Sequence, residues 1–210
     1  MDTAKIKECY NALTAQKLIE EFEKRNIVGF YFKTKEEALK KVLEMIPKDS
    51  MVSWGGSATL HEIGLKDALK NGGYNYLDPA EPLGGMEKEK AARQDLSADF
   101  FLMSANAIAV TGEIVNIDGI GNRVAALCFG PKNVIIVAGM NKVEPDIHAA
   151  IRRVKNYAAK MVVSAYKQDY SSYEELSIAA EAGCSQMVIT QKSMFPGRIT
   201  VILVGESLGF

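Results

Sequence analysis

The apolar residues of this chain alternate between two spacings, and the alternation predicts strands and helices in turn. Short β-branched and aromatic runs are typical of strands, whereas apolar residues three or four positions apart are typical of helices. The pattern favours an α/β fold with three layers, α/β/α, around a mostly parallel sheet. The predicted strands are 26–32, 50–54, 74–77, 100–103, 134–138, 187–190 and 199–204.

Polar residues, glycines and prolines separate the predicted helices from their neighbours. Thr34 and Glu37 form a capping-box pattern, and Pro47 ends the helix that follows them. The stretch 161–165 fits either a strand or the end of a helix, and 78–85 is predicted to be a loop. The predicted helices are 3–25 (as one helix or two), 34–46, 60–69, 86–96, 124–129, 145–159 and 173–182.

The stretch 105–139 combines two short apolar runs with a turn rich in Gly, Asn, Asp and Arg. The runs 107–110 and 114–117 flank Thr111-Gly112-Glu113, which predicts a β-hairpin inserted near Gly112. In the turn that follows, glycines can adopt positive φ and expose backbone N–H groups. Its side chains bring an acceptor, an amide and a planar cation to the same region.

This turn is a candidate binding site for an anionic or hydroxylated ligand. The alternative is a tight turn in which Asp118 and Asn122 cap local backbone amides. Arg123 then pairs with Glu113 or with a terminal carboxylate. The candidate ligand-binding residues here are Asn116, Asp118, Gly119, Gly121, Asn122 and Arg123.

A second candidate is the glycine-rich loop that follows the strand at 50–54. In an open parallel sheet, the helix after such a loop directs unpaired N–H groups toward the crevice where ligands bind. The sequence SWGGSAT is neither the dinucleotide-binding motif nor the P-loop, so it does not indicate a nucleotide. A plain turn capped by Ser57 or Thr59 is the alternative. The candidate residues are Ser53, Gly55, Gly56, Ser57 and Thr59.

Single ionisable residues add further candidates. Lys142 follows the strand at 134–138 and is placed to meet an anion, with a solvated lysine as the alternative. His61 is either a general base or a structural residue, and His148 is expected at the surface. The carboxylates that can act as base or nucleophile are Glu113 and Asp118, and neither has an activating partner in the sequence.

Composition narrows the range of partners and cofactors. The 25 basic and 26 acidic residues nearly balance and form no basic stripe, which argues against nucleic acid or a membrane surface as a partner. The sequence has no signal peptide and no apolar stretch of roughly 18 residues, so a cytoplasmic protein is expected. Cys9, Cys128 and Cys184 are far apart, and neither histidine has a partner at metal spacing. No metal or cofactor site is predicted.

One structural unit with a helical extension is the expected domain organisation. Residues 1–48 are predicted to be an N-terminal helical extension packed on an α/β domain at 49–210. The apolar face of the helix at 3–25 has no cover within its own segment, so it packs on the main domain or on a second copy of the chain. A homodimer is therefore expected.

Four blocks of the sequence resemble the LUD family, the lactate-utilisation domain of bacterial and archaeal proteins. In the family's order, across residues 50–210, they are SWGGSATLHEIG, SANAIAVTGEIVNIDGIGNRVAAL, NVIIVAGMNKV and PGRITVILVGESLGF. The resemblance implies a fold like that of the group containing glucosamine-phosphate deaminase, ribose-phosphate isomerase and CoA transferase. In that group the ligand binds where strand-end loops meet. By that analogy one pocket is lined by 55–57, the turn at Glu113, the turn at 118–123 and Lys142.

Members of this family take part in oxidising L-lactate to pyruvate, beside or fused to iron–sulfur modules. The resemblance implies a non-redox accessory or small-anion-binding component that binds a carboxylate or phosphate and associates with iron–sulfur or flavin subunits. Similar stand-alone members carry several cysteines before the last strand, whereas 166–196 here keeps only Cys184, so the expected cluster ligands are missing. The alternative is an enzyme of the sugar-phosphate isomerase or acyl-CoA transfer type that uses Glu113 or Asp118 in the same pocket.

Overall fold

The computed structural model of the chain describes residues 2–78 and 85–210, and of residues 85–88 it describes the backbone alone. The predicted loop at 78–85 therefore lies, except for its two end residues, outside the described residues. The strands are β1 (Val28–Phe32), β2 (Met51–Trp54), β3 (Asn75–Leu77), β4 (Phe100–Met103), β5 (Ala107–Ala109), β6 (Ile114–Asp118), β7 (Asn133–Gly139), β8 (Val143–Glu144), β9 (Gln186–Thr190) and β10 (Ile199–Val204). The helices are α1 (Thr3–Glu23), α2 (Lys35–Met45), α3 (Ala58–Glu62), α4 (Leu65–Asn71), α5 (Gly85–Gln94), α6 (Asn122–Phe129), α7 (Ile147–Arg153), α8 (Ala159–Tyr166) and α9 (Tyr173–Ala182). A π-helical turn, Val154–Ala158, joins α7 to α8, and 3₁₀ turns lie at Asp95–Ser97 and Met140–Lys142.

Six parallel strands form the main sheet, in the order β1-β10-β7-β4-β2-β3. Successive side chains of a strand point to opposite faces, and both faces of this sheet are covered. Ile136 of β7 packs in one core with Phe22 of α1 and Leu127 of α6. The next residue, Val137, packs in a second core with Leu60 of α3. The predicted three-layer arrangement with a mostly parallel sheet is confirmed.

A second sheet has four strands in the order β8-β5-β6-β9. The predicted hairpin is present, since β5 and β6 pair antiparallel on either side of Gly112, but it belongs to this second sheet. The sequence pattern did not predict the division into two sheets. Both faces of the hairpin are buried: Ile108 and Ile114 join the core beneath α1, whereas Val115 packs with Ala150 of α7. A hairpin buried on both faces needs cover from two directions, and the core beneath α1 and the helix α7 provide it.

Local signals in the sequence set several of the helix limits. The capping box is present, and the Thr34 hydroxyl accepts the backbone N–H of Glu37 at 3.4 Å. The ambiguous stretch 161–165 is helical and belongs to α8. The helix predicted at 60–69 is divided in two, because Gly64 adopts a left-handed φ of 71° between α3 and α4.

Residues 1–48 contribute a strand to the main sheet as well as two helices. β1 is an edge strand that pairs in parallel with β10, from Val28 opposite Thr200 to Phe32 opposite Val204. A boundary at residue 48 therefore does not follow an edge of the sheet, since it separates β1 from its pairing partner.

The first helix, α1, is continuous, and it buries only part of its apolar surface. Leu18 and Phe22 are fully buried against the main sheet. Ile6, Tyr10 and Leu13 are more than half exposed and lie three or four positions apart, hence on one side of the helix. The homodimer stays a prediction. The exposed side of α1 is the surface on which that prediction would place the second copy.

Arg25 joins the end of α1 to the hairpin. Its guanidinium donates to the carbonyl oxygens of Thr111 and Gln191 and, at 2.7 Å, to the carboxylate of Glu113. A Cβ at Gly112 would lie 2.7 Å from the Arg25 Nε, and Gly112 also has a φ of 98°. The hairpin turn therefore needs glycine both for its backbone conformation and for the space that Arg25 occupies.

We expect Arg25→Met to lower the free energy of unfolding by roughly 1–3 kcal/mol, because it leaves a half-buried carboxylate and two carbonyl groups without their donor. Lys24→Met is the matched control, since Lys24 pairs with Glu21 at the surface and such pairs contribute about 0–1 kcal/mol. Urea unfolding followed by circular dichroism measures both variants. Equal losses in the two variants would contradict the role given to Arg25.

Candidate functional site

The candidate site lies where the carboxyl ends of the parallel strands meet the second sheet. β2 leads into Gly55 and Gly56, β4 leads into Ser104, and β7 leads into the turn that ends at Lys142. Because these strands are parallel, their carboxyl ends share one edge of the main sheet, which is the usual ligand position in open α/β sheets. The turn after β6 reaches the same place from the second sheet.

Arg123 connects the second sheet to the glycine-rich loop. Its Nη1 donates to the carbonyl oxygen of Gly56 at 3.0 Å, and its Nε lies 3.4 Å from Asp118 Oδ2. Asp118 also accepts the backbone N–H groups of Gly119 at 2.9 Å and of Arg123 at 3.0 Å. A Cβ at Gly55 would lie 3.6 Å from the Arg123 Cδ, so the arginine packs closely on the loop. Asp118 thus both accepts amides at the start of α6 and orients Arg123 toward the loop.

Lys142 is buried at the centre of this arrangement. The residue is 3% exposed, and its Nζ donates to the hydroxyls of Thr59 at 2.8 Å and Ser104 at 2.9 Å. Within the part of the chain that the structure describes, Lys142 forms no ion pair. Burial, together with the positive charges of Arg153 and Arg123, lowers the pKa of Lys142 to about 7, against the opposing effect of the Glu62 carboxylate. The amine is therefore close to half neutral at neutral pH.

Arg153 of α7 is a second buried cation. Its Nη1 donates to the carbonyl oxygen of Asn106 at 2.6 Å, and its Nε lies 3.6 Å from Glu144 Oε1. Burial lowers its own pKa, and its positive charge is one cause of the low pKa of Lys142. A cavity of about 570 Å³ beside it is also lined by Asn141 and by residues of the π-helical turn. Such turns are frequent at functional sites.

The backbone at Leu208 and Gly209 covers Lys142. The N–H of Leu208 donates to Asn141 Oδ1 at 3.0 Å, and the N–H of Gly209 donates to Glu62 Oε2 at 2.7 Å. Gly209 has a φ of 56°, and a Cβ there would lie 2.6 Å from the nearest side-chain hydroxyl and 3.4 Å from Lys142 Nζ. Glycine permits this close approach, which completes the burial of the amine.

Asn116 is a buried amide that lacks a protein partner. It lies in the middle of β6, is 0% exposed, and neither polar atom of its side chain has a hydrogen-bond partner among the described residues. Side chains two positions apart share one face of a strand, so Asn116 lies on the same face as Asp118. Buried amides are nearly always hydrogen-bonded, so the side chain of Asn116 has a donor and an acceptor available for a partner from outside the described residues, such as water.

Glu113 lies away from the other predicted site residues. It precedes β6, whereas Asp118 ends that strand, so roughly 16 Å of extended chain separates the two residues. The carboxylate of Glu113 is bound by Arg25 and by the hydroxyl of Thr111. The carboxylate partner of Arg123 is Asp118 and not Glu113. The hairpin turn at Glu113 is thus not among the loops that meet Lys142.

Two predicted serines have structural partners. Ser53 donates to the carboxylate of Asp95 and to the carbonyl oxygen of Leu77, away from the glycine-rich loop. Ser57 caps α3, since its hydroxyl accepts the N–H of Leu60 at 3.2 Å. The proposed cap at Ser57 is therefore present, and of the two hydroxyls on this helix it is Thr59 that contacts Lys142.

The remaining turn residues and the histidines lie at the margin of the site. Gly121 has a φ of 88° and faces the side chain of Gln186, and Asn122 is the first residue of α6. His61 and His148 are both exposed. The structure gives neither histidine a contact with the buried cations.

Sequence reasoning missed Ser104 and Arg153. Ser104 directly follows a buried strand, the same signal that identified Lys142, so it was open to prediction. Arg153 stands beside Arg152 in a helix, and nothing in the sequence separates the buried arginine from the exposed one.

Within residues 2–78 and 85–210, no group of three or more His, Cys, Asp or Glu side chains is arranged to hold a metal ion. Cys9 and Cys128 are exposed and Cys184 is half-buried, and all three are free thiols. No helix of this part of the chain is long and apolar enough to cross a membrane.

Asp95 is a buried carboxyl beside β2. It is 1% exposed, its Oδ1 accepts the bond that Ser53 donates, and its Oδ2 has no partner among the described residues. Burial, together with the negative charge of Asp78, raises the pKa of Asp95 to about 6, against the opposing effect of the bond from Ser53.

Comparison with known proteins identifies a family and a fold. A family model described as "LUD domain" matches residues 15–204. The crystal structure of a DUF162 family protein from Deinococcus radiodurans, at 1.70 Å resolution, superposes with a TM-score of 0.56 and 14% sequence identity, covering 92% of this chain and 98% of the other. At this identity the similarity concerns the fold alone. No curated protein matches this chain significantly.

Asp95→Asn tests the burial of the carboxyl beside β2. The pKa of about 6 in the folded protein lies above the ordinary 3.8, so this group's contribution to stability is complete below about pH 4 and is lost as the pH rises through 6. From about pH 4 to 7.5, the free energy of unfolding of the unaltered protein should fall by about 1–3 kcal/mol relative to that of Asp95→Asn. Urea unfolding at both pH values measures the difference. Asp67→Asn, at an exposed position, is the control, and its free energy of unfolding should depend on pH as that of the unaltered protein does. If the unaltered protein showed the same pH dependence as Asp95→Asn, the assignment would be refuted.

Proposed function

Because this chain belongs to the LUD domain family, we propose that it is a non-redox accessory component, linked to the oxidation of L-lactate to pyruvate, that binds a small carboxylate or phosphate. The family concerns lactate utilisation in general, and the role in anion binding rests on the geometry of the site. The absence of paired cysteines before β10 supports a role without an iron–sulfur cluster in this chain.

The observation that carries the proposal is the burial of Lys142 without an ion-pair partner. A buried ammonium costs several kcal/mol unless an opposite charge accompanies it. Thr59 and Ser104 supply two hydroxyl acceptors but no negative charge. A bound anion stabilises the charged form of the amine and removes this cost.

The two neighbouring arginines also support the binding of an anion at this site. Arg123 and Arg153 each face one carboxylate, but through Nε at 3.4 and 3.6 Å, and the Nη1 of each binds a backbone carbonyl. Donors of each guanidinium remain for a ligand, since an arginine has five N–H groups. Bidentate guanidinium donors suit both carboxylates and phosphates.

The alternative, an enzyme of the sugar-phosphate isomerase or acyl-CoA transfer type, has less support from the same site. Both of its candidate carboxylates are engaged within the protein, Glu113 by Arg25 and Asp118 by backbone amides and Arg123.

A thermal-shift series tests anion binding. We expect at least one of lactate, pyruvate, inorganic phosphate and a sugar phosphate, at about 100 times its Kd, to raise the melting temperature by roughly 5–10 °C, since such binding contributes about 2.7 kcal/mol. Sodium chloride at equal ionic strength is the control for screening.

Two variants locate this response. Lys142→Met should abolish the shift because it removes the buried cation. Lys132→Met should retain it, because Lys132 is exposed and lies before the opposite end of β7. No stabilisation by any anion, or an unchanged response in Lys142→Met, would refute the proposed function.

Purification from cells grown on L-lactate tests the link to lactate oxidation. We expect proteins that carry iron–sulfur clusters or flavin to co-purify with the chain in constant proportion, while the separated chain contains no iron. Mass spectrometry and metal analysis measure both. Recovery of the chain by itself, or iron bound to the chain alone, would count against an accessory role.

A further inference from the structure

We propose that Lys142 is an amine nucleophile that forms an imine with a 2-oxo carboxylate held at this site, an inference that rests on the proposed anion-binding function and names its substrate class. The carboxylate of such a ligand meets the guanidinium groups, and its ketone carbon meets the lysine Nζ. Binding and covalent capture are separate properties, so each is open to its own test.

The contacts of Lys142 suit a nucleophile better than a structural cation. A lysine that serves structure typically ends in an ion pair, whereas the Lys142 Nζ forms none among the described residues and donates to two hydroxyls, at 2.8 and 2.9 Å. Lysine amines become nucleophilic in proteins when they are desolvated or lie next to another cationic group. Lys142 meets both conditions, since it is 3% exposed and its pKa is lowered by burial and by Arg153 and Arg123.

The two hydroxyls can make the proton transfers that imine formation requires. The Nζ lone pair attacks the carbonyl carbon, the C–N bond forms, and the C=O π pair moves to oxygen, which takes a proton. The nitrogen releases a proton to give a carbinolamine, whose hydroxyl takes a second proton and leaves as water as the C–O bond breaks and the nitrogen lone pair forms the C=N bond. The nitrogen then releases its remaining proton. The net change is one amine and one ketone to one imine and one water, with no oxidant or reductant. Thr59 and Ser104 can each accept one proton and donate another.

The positive charges around Lys142 indicate that the ligand carries a carboxylate. Arg123 reaches the site from α6 and Arg153 from α7, so the amine lies near two guanidinium groups. A simple aldehyde has no anionic group to pair with either guanidinium, whereas a 2-oxo acid places a carboxylate next to its carbonyl carbon. The unpartnered amide of Asn116 adds a donor and an acceptor on the face of β6 that carries Asp118.

Access to the amine is governed by the backbone at Leu208 and Gly209. Hydrogen bonds to Asn141 and Glu62 hold this segment against Lys142, and the Leu208 side chain packs in the core beside α3. Entry of a ligand requires this backbone to move away from Nζ. The segment lies outside the strands of both sheets, and its movement requires the bonds to Thr59, Asn141 and Glu62 to break.

Reductive trapping tests the proposal. The full chain is incubated with pyruvate and sodium cyanoborohydride at pH 7, and peptide mapping by mass spectrometry locates the reduced adduct. An amine with a pKa of about 7 is about half neutral at this pH, whereas an ordinary lysine is neutral in roughly 1 of 2,500 molecules. We expect labelling of Lys142 to exceed that of every other lysine by at least about tenfold.

The pH profile distinguishes this amine from surface lysines. Labelling of Lys142 should rise to about pH 7 and then level, whereas labelling of exposed lysines continues to rise toward about pH 10. The charges that set this profile are those of Glu62 on α3, Arg123 on α6 and Arg153 on α7. A Lys142 profile like that of the surface lysines would overturn the proposal.

Variants and a second probe complete the test. Lys142→Arg keeps a cation but cannot form the imine and should lose the adduct, whereas Lys132→Arg should be labelled like the unaltered protein. If Lys142→Arg fails to fold, the labelled position in the unaltered chain decides the question by itself. Acetaldehyde, which has a carbonyl but no carboxylate, is compared with pyruvate by the ratio of Lys142 labelling to surface-lysine labelling, because this ratio removes the higher intrinsic reactivity of an aldehyde. The ratio should be at least about tenfold lower for acetaldehyde, since a charged contact contributes about 1.5–3 kcal/mol.

The outcomes separate this inference from the proposed function. Stabilisation by pyruvate without a Lys142 adduct retains anion binding and overturns imine formation. Labelling spread over the surface lysines also overturns it. If pyruvate and acetaldehyde give an equal ratio of Lys142 labelling to surface-lysine labelling, the assignment of a 2-oxo carboxylate is overturned.

Discussion

The structure depends on two short connections that carry the chain from the main sheet into the second sheet. β4 continues through residues 104–106 into β5, and β7 continues through Met140–Lys142 into β8. β4 and β7 are parallel neighbours in the first sheet, and β5 and β8 are parallel neighbours in the second. The two connections therefore run side by side, and the bond from Lys142 to Ser104 at 2.9 Å joins them. The position of the site follows from this topology.

The polar junction is the region around Lys142 where the two sheets meet. This junction and the apolar cores make opposite contributions to stability. On both faces of the main sheet, and beneath α7, the interior consists of aliphatic and aromatic side chains. Their burial contributes about 25 cal/mol per Å² of apolar surface. At the junction, Lys142, Arg153 and Asn116 are buried polar groups that carry desolvation costs. A leucine or methionine would fill the position of Lys142 without that cost, so the junction is better suited to recognition than to stability.

Some of the site was predictable because position along a strand is visible in the sequence. Lys142, Gly56 and Arg123 each follow a run of apolar residues, and a turn after such a run is brought to the sheet edge by the parallel topology. Glu113 shows the limit of the same reasoning. It lies in the hairpin turn, at the other end of β6 from Asp118, and the antiparallel direction of the hairpin places it beside Arg25.

Other parts of the site were not predictable because they depend on packing between distant segments. Arg153 and Arg152 are adjacent identical residues, and only the docking of α7 beside β5 and β8 decides which of them is buried. The cover at Gly209 approaches Lys142 from a segment 67 positions further along the chain, as its hydrogen bonds to Asn141 indicate. Fold class can follow from periodicity, whereas such contacts follow only from the assembled layers.

Binding of an anion at this junction would also change the contacts that hold the two sheets together. Lys142 is fixed to the connection after β7, Arg123 follows β6 in the second sheet, and Gly56 follows β2 in the first. A ligand that contacts the lysine and the arginine would add bonds between the sheets to those that these two side chains make. Such a ligand would stabilise the junction by an amount that grows with the logarithm of the ratio of its concentration to its Kd, because it binds the assembled arrangement and not the separated loops. The same polar groups that weaken the free protein thereby make its stability responsive to the ligand.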